Sequence, residues 1–167
     1  VENRDYRAMF ARHSIDAVII ATSEWVRIEP VKAAVEAGVH ILLEKPYANS
    51  WSSANKLNTI LSRHEYIFDV CHVLRFSPRF NEARRQLSAL DGGIRKPKYI
   101  HARRNSNASR VGRVMSKTNL CYWLLPHDLD LVSWFCESSV EAAFARTGGC
   151  DGNIQDYISV SLRLANG

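Results

Sequence analysis

No run in the 167 residues reaches the roughly 18 apolar positions that a membrane-spanning helix needs, and the amino terminus carries no basic segment followed by an apolar stretch. A soluble protein without a membrane partner, at home in the cytoplasm, is the expectation. The sequence also has no Cys-x-x-Cys pair and no Cys/His cluster: Cys71, Cys121, Cys136 and Cys150 lie far apart. Neither a zinc site nor a disulfide framework is therefore signalled, no metal is expected, and the thiols should be reduced and half-buried. Acidic residues are missing from Arg95 to Lys117, which holds eight Lys or Arg, so the net charge of +5 is unevenly spread. Such a stretch faces an anion or simply water. The aromatic residues that would stack on bases are not interleaved with these charges, which argues against nucleic acid. Tyr122, Trp123 and Trp134 read as core or pocket-wall residues. There is no initiator methionine, and no glycine-rich phosphate-binding turn.

What is present suffices for a folded domain, since 46% hydrophobic against 23% charged residues allows a sizeable core. Glu2 to Arg12 reads as a helix and Asp16 to Thr22 as a strand ending in small polar residues. From Glu24 to Ala37 the apolar residues Ile28, Val31, Ala34 and Val35 fall at helical spacing, and Gly38 supplies the left-handed stop. A second strand, Val39 to Leu43, follows at once. Strand, helix, strand with continuous β-branched and leucine runs predicts a crossover unit on a parallel sheet buried on both faces. Ligands of such sheets collect outside the carboxyl ends of the strands, here Ala21-Thr22-Ser23 and Glu44-Lys45-Pro46. Ser50 can cap a helix whose Trp51, Ala54, Leu57 and Leu61 form an apolar stripe, and Ile67 to Val73 predicts a third strand. Ser77-Pro78 opens a further helix, closed by Asp91-Gly92-Gly93.

Beyond that point the period changes. Lys98 to Arg104, Ala142 to Thr147 and Tyr157 to Leu164 alternate, which predicts an antiparallel sheet decorated with helices. The chain stops at Asn166-Gly167, a preferred hairpin turn, so a fragment cut inside a hairpin is expected. The fold class expected is α/β: a partial Rossmann-type parallel sheet over residues 1–74, then part of an α+β substrate or oligomerisation domain with a mainly antiparallel sheet over 75–167.

Four motifs in order, Ala21-Thr22-Ser23, Glu44-Lys45-Pro46, Arg75-Phe76-Ser77-Pro78 and His127-Asp128-Leu129-Asp130, resemble those of the Gfo/Idh/MocA family of NAD(P)-dependent oxidoreductases. The resemblance runs over nearly the whole chain. It implies a two-domain dehydrogenase that moves a hydride between NAD or NADP and a hydroxyl-bearing carbon of a sugar, cyclitol or similar polyol, and a homo-oligomer when complete. It places Ala21, Thr22, Ser23, Glu44, Lys45 and Pro46 at the cofactor, with Lys45 and His127 as catalytic candidates. Arg75, Arg104, Trp123 and Asp128 fall on the substrate side, and the peptide bond before Pro46 is often cis in the family. Two positions depart from the pattern: Trp123 stands where many members carry an aspartate, and Arg27 where many carry a histidine. With the aspartate slot changed, a non-catalytic binding or dimerisation module retaining the fold is the alternative.

The chemistry can be argued from the residues as well. Removing hydride from an alcohol carbon leaves a proton on oxygen, and a base must lie within hydrogen-bond reach of that hydroxyl. Lysine serves when burial or a neighbouring positive charge lowers its pKa, whereas histidine is already close to neutrality. Taken alone, Lys45 is also readable as a charge ending a strand before a turn proline, and His127 as a helix-start residue among dipole-complementing aspartates. His127 and Asp130 share a helix face, with Asp128 about 100° away. Pro126 suits a first helical turn, whose positive pole would favour neutral His127. Arg103 and Arg104 lead into a loop, Asn105 to Arg113, that either clamps a phosphate or carboxylate or is merely solvated. The expected arrangement has Lys45 beside the nicotinamide and the reacting hydroxyl, with His127 approaching from the second domain.

Overall fold

Strand β2 (His40–Glu44) is the middle strand of a three-stranded parallel sheet in the computed structural model, flanked by β1 (Ala17–Ile20) and β3 (Phe68–Cys71). Residues 5–89, 97–107, 118–149 and 157–166 are described, and the chain divides into two compact units, Val1–Cys71 and His72–Gly167. The central position of β2 follows from its sequence. His40-Ile41-Leu42-Leu43 is buried at alternate residues and half-buried at the others. Strand β1, an edge of this sheet, leaves Ile19 69% exposed, so the burial on both faces expected of both strands does not hold for β1. Ile41 is 2% exposed and Leu43 fully buried. Register pairs Ile20 with Leu43 and Glu44 with Cys71, so the carboxyl ends of the three strands emerge side by side.

Helices α1 (Tyr6–Arg12), α2 (Ile28–Ala37) and α3 (Trp51–Leu61) complete the first unit. Asp5 caps α1 by accepting from the backbone N–H groups of Arg7 and Ala8, and Ser50 caps α3 by accepting from that of Ser53 at 3.1 Å. Gly38 ends α2 at φ +65°, where a Cβ would also come within 3.3 Å of the Tyr66 ring, so two reasons converge on glycine. Val31, Ala34 and Leu57 from the helices join Ile20, Val39, Ile41 and Leu43 in one core.

The second unit begins with a 3₁₀ turn, Val73–Phe76, followed by α4 (Pro78–Ala89), the short helix α5 (Leu120–Trp123) and α6 (Leu125–Cys136). Strands β4 (Val140–Gly148) and β5 (Tyr157–Leu164) pair antiparallel, with a register irregularity between Val140 and Ala142. The parallel sheet followed by an antiparallel one is the fold class read from the sequence.

Several local expectations change. The helix expected from Glu24 is a 3₁₀ turn, Glu24–Val26, and then α2, because Arg27 is drawn inward between them. The first strand stops at Ile20, leaving Ala21 and Thr22 in the turn. Trp51 is 80% exposed, since it occupies the first position of α3, and the apolar stripe is built on Leu57 with Ile60 and Leu61 beside it. Lys98 to Arg104 forms no strand. Alternation makes a two-faced segment, but a strand exists only beside a ladder partner, and among the described residues β4 and β5 pair with each other. The helix stop at Asp91-Gly92-Gly93 and most of the Asn105 to Arg113 loop lie outside the described residues, as do Cys150 and Gly167. Asn166 folds back on the end of α6, its backbone N–H donating to Ser138 Oγ at 3.2 Å and its side-chain amide to the Cys136 carbonyl at 3.1 Å. Cys71 and Cys121 are free, half-buried thiols, whereas Cys136 is buried and not half-buried as expected. No helix among the described residues is long and apolar enough to cross a membrane.

Candidate active site

Parallel strands that end in register deliver their following residues to one edge, and β1 and β2 do so here. Ala21, Thr22 and Ser23 follow β1 and are exposed; Glu44 and Lys45, at the end of β2, are half-buried, and Pro46 is buried. The Lys45–Pro46 peptide bond is cis.

The two strand ends are joined by a residue that the sequence marks only as a departure from a pattern. Arg27, at the entry to α2, is 3% exposed. Its guanidinium donates to backbone carbonyls alone among the described contacts: Nε and Nη2 to Thr22 O at 3.3 and 3.1 Å, Nη2 to Lys45 O at 3.1 Å, and Nη1 to Glu44 O. Burial pulls the guanidinium below its ordinary pKa, opposed by the Glu24 and Glu44 carboxylates. A buried cation is tolerable only when its donors are satisfied, and carbonyls from both loops satisfy these. The signal in the sequence was a long charged side chain in the loop after the first strand, but its targets lie 5 to 18 residues away.

Around this pair the walls are set by ordinary packing. Tyr47 donates its hydroxyl to Asn58 Oδ1 at 2.6 Å and stacks edge-on against Phe68, and burial raises its pKa. The Cys71 thiol is pushed up by burial and by the adjacent Glu44 carboxylate. On the β1 side a cavity of about 600 Å³ is lined by Met9, Phe10, Ala21, Thr22 and Trp25, among others. Its size and apolar walls would admit a planar ring system, and it reaches the same strand end through Ala21 and Thr22.

The second unit holds the other expected residues. His127 lies in the first turn of α6, after Pro126, with its backbone N–H donating to Leu124 O at 3.3 Å. Trp123 closes α5 and is half-buried. Asp128 and Asp130 diverge as helix geometry requires. Arg104 forks onto Asp128 with Nε and Nη2 at 2.9 and 2.8 Å, and this pairing raises the Arg104 pKa. Arg75 forks onto Asp130 at 2.6 to 3.1 Å, and His72 Nε2 stands 3.6 Å from the same carboxylate, whose side chain is 7% exposed. Three of the four residues expected on the substrate side, Arg75, Arg104 and Asp128, are thus engaged in ion pairs within the unit. His72, which sequence reasoning gave no site role, and Asp130, read from the sequence only as sharing a helix face with His127, complete one of them.

Residues 2–72 match the oxidoreductase family with an NAD-binding Rossmann fold. Over 97% of its length the chain is 34% identical to 2,7-anhydro-N-acetylneuraminate hydratase of Mediterraneibacter gnavus, covering 46% of that protein. It is 24% identical to inositol 2-dehydrogenase 4 of Saccharopolyspora erythraea over 92% of the chain and 46% of the relative. The crystal structure of myo-inositol 2-dehydrogenase from Lactobacillus plantarum superposes with a TM-score of 0.80 at 18% identity, over 99% of this chain and 52% of that one. The chain spans about half the length of the relatives it matches. By its matched segment and its relatives the chain is similar to the Gfo/Idh/MocA family of oxidoreductases, the likeness to an NAD-binding Rossmann fold running over residues 2–72, and its fold agrees.

Proposed function

We propose that this chain carries the hydride-transfer site of an NAD(P)-dependent dehydrogenase acting on a hydroxyl-bearing carbon of a sugar or cyclitol. The observation that carries the reading is the gathering of the Thr22 and Glu44–Lys45 strand ends on one buried guanidinium, which sets Lys45 at the carboxyl edge of a parallel sheet. A nicotinamide held there would supply the hydride acceptor. Lys45 then takes the hydroxyl proton as the carbonyl forms, and in the reverse direction returns it. Ala21, Thr22, Ser23, Glu44 and Pro46 frame the cofactor. In the second unit His127 is the other acid/base candidate, and Trp123, Arg75, Arg104 and Asp128 belong to the substrate side. The names of the relatives support the substrate class, one an inositol dehydrogenase and one a hydratase of an anhydro sugar.

A second reading, a binding or dimerisation module without chemistry, is favoured by one observation: Arg75 and Arg104 are taken up by Asp130 and Asp128. Steady-state assays of the protein with NAD⁺ or NADP⁺ and a panel of cyclitols and anhydro sugars decide between them. The dehydrogenase reading expects reduction of the nicotinamide, and loss of about 10²- to 10⁴-fold in kcat for Lys45→Ala with cofactor affinity largely kept. Turnover unaffected by Lys45→Ala would remove the lysine from the chemistry. Cofactor binding without turnover on any member of the panel would favour the module.

A further inference from the structure

We propose that Arg27 is a positioning residue for Lys45: it fixes the direction of the lysine side chain and supplies the positive charge that keeps its amine available as a base. The inference rests on the dehydrogenase reading and adds a residue to it.

The geometric part follows from the planarity of peptide groups. The Glu44 carbonyl belongs to the peptide plane before Lys45, and the Lys45 carbonyl to the plane after it. Arg27 donates to both, through Nη1 and through Nη2 at 3.1 Å. With two consecutive planes held by one rigid fork, φ and ψ of Lys45 are fixed, and so is the direction of its Cα–Cβ bond. The same guanidinium holds Thr22 O through Nε and Nη2, so the turn after β1 and the turn after β2 move as one body. A lysine at position 27 would lose this fork, because its three donors radiate from one atom whereas the guanidinium reaches the carbonyls from three separate nitrogens.

The electrostatic part follows from burial. Arg27 is 3% exposed, and its guanidinium lies against the Lys45 carbonyl, where solvent screens it poorly. A fixed cation there disfavours a second one, so it works against protonation of the Lys45 amine. The charged neighbours of the Arg27 guanidinium are Glu24 from the 3₁₀ turn and Glu44 from the end of β2, whose carboxylate also faces the Cys71 thiol. The two carboxylates oppose Arg27. Without Arg27 the two carboxylates would stand uncompensated at the strand end, which favours the protonated amine, and the acidic limb of the rate profile would move up in pH.

The test uses Arg27→Lys, which keeps the charge and loses the fork, and Arg27→Met, which loses both. Three readouts are taken on the whole protein: kcat with KM, the pH dependence of kcat/KM, and the titration of the Lys45 amine by carbon NMR after isotopic reductive methylation, assigned with Lys45→Arg. Arg27→Lys should lower kcat by about tenfold or more, the scale of a misdirected catalytic group, with the acidic limb in place. Arg27→Met should lower kcat similarly and raise both the limb and the Lys45 titration by about one pH unit, the size of a lost neighbouring charge. If both variants keep wild-type kcat and the Lys45 titration does not move, Arg27 is a structural staple only and the proposal is wrong. If Arg27→Met does not fold, unchanged kcat in folded Arg27→Lys is sufficient to overturn it. If the wild-type protein turns over no substrate, the dehydrogenase reading has failed on its own, while the Lys45 titration still tests the electrostatic part in folded Arg27→Met or, failing that, in Arg27→Gln.

Discussion

Asp128 and Asp130 stand two residues apart on α6 and meet different arginines, and the difference in burial separates their weights. Asp130 is 7% exposed and accepts a forked pair from Arg75, with His72 Nε2 at 3.6 Å. Removing that carboxylate strands a partly buried guanidinium, so Asp130→Ala should cost about 2 to 3 kcal/mol, somewhat below a fully buried pair because Arg75 still reaches solvent. Chemical denaturation measures this, and a loss under about 1 kcal/mol, the range of exposed pairs, would show that the fork contributes little. Legibility at this scale was divided. Thr22, Glu44 and Lys45 could be placed at strand ends from the sequence because each follows a short apolar run, although the run before Thr22 leaves Ile19 69% exposed. Arg27 could be seen but not understood, since its partners are backbone carbonyls and carry no side-chain signature. The Arg75–Asp130 pair joins residues 55 apart in sequence, and no local pattern links them.

Elements were readable where local chemistry and burial agree. Ser50 caps α3, Gly38 stops α2, and β5 spans Tyr157–Leu164, the residues whose alternation predicted it. The reading failed where a partner decides. Lys98 to Arg104 alternates as well as β5 does, yet Arg104 turns to Asp128 and no strand forms. Helix α4 shows a third case, an element with no buried residue that still forms. Part of its support is local: Glu82 accepts from Arg85 at 2.7 and 2.8 Å and from Gln86 at 2.9 Å. These hydrogen bonds hold the Glu82 carboxyl down to about 2, against 4.5 when unperturbed. A folded-state pKa below the unfolded one gives stability that is present above the unfolded value and is lost as pH falls through the folded one. Thermal melts of wild type and Glu82→Gln should therefore differ at neutral pH, with wild type the more stable, and converge as pH drops from about 5 to about 2. A difference that persists unchanged at pH 2 would contradict the assignment.

At the scale of the whole molecule the chain is two units that solve different packing problems. The first gathers Leu43, Leu57 and Val31, all with less than 2% exposure, around a parallel sheet. The second relies on α6, on ion pairs to its aspartates, and on an antiparallel pair of strands whose β4 is exposed nearly throughout. That contrast explains why the first unit was the easier to read: continuous apolar strands announce a parallel sheet, whereas a ribbon with β4 exposed and β5 half-buried only at alternate residues has only its alternation. It also locates the functional claim, which is that a nicotinamide cofactor docks at the carboxyl ends of β1 and β2. Amide chemical shifts of the isotopically labelled protein, followed as NAD⁺ or NADP⁺ is added, test this most directly. The shifts should concentrate at Thr22, Ser23, Glu44 and Lys45 and leave His40 and Ile67, at the opposite end of the sheet, unmoved. Shifts confined to His40 and Ile67, or none at saturating cofactor, would contradict it.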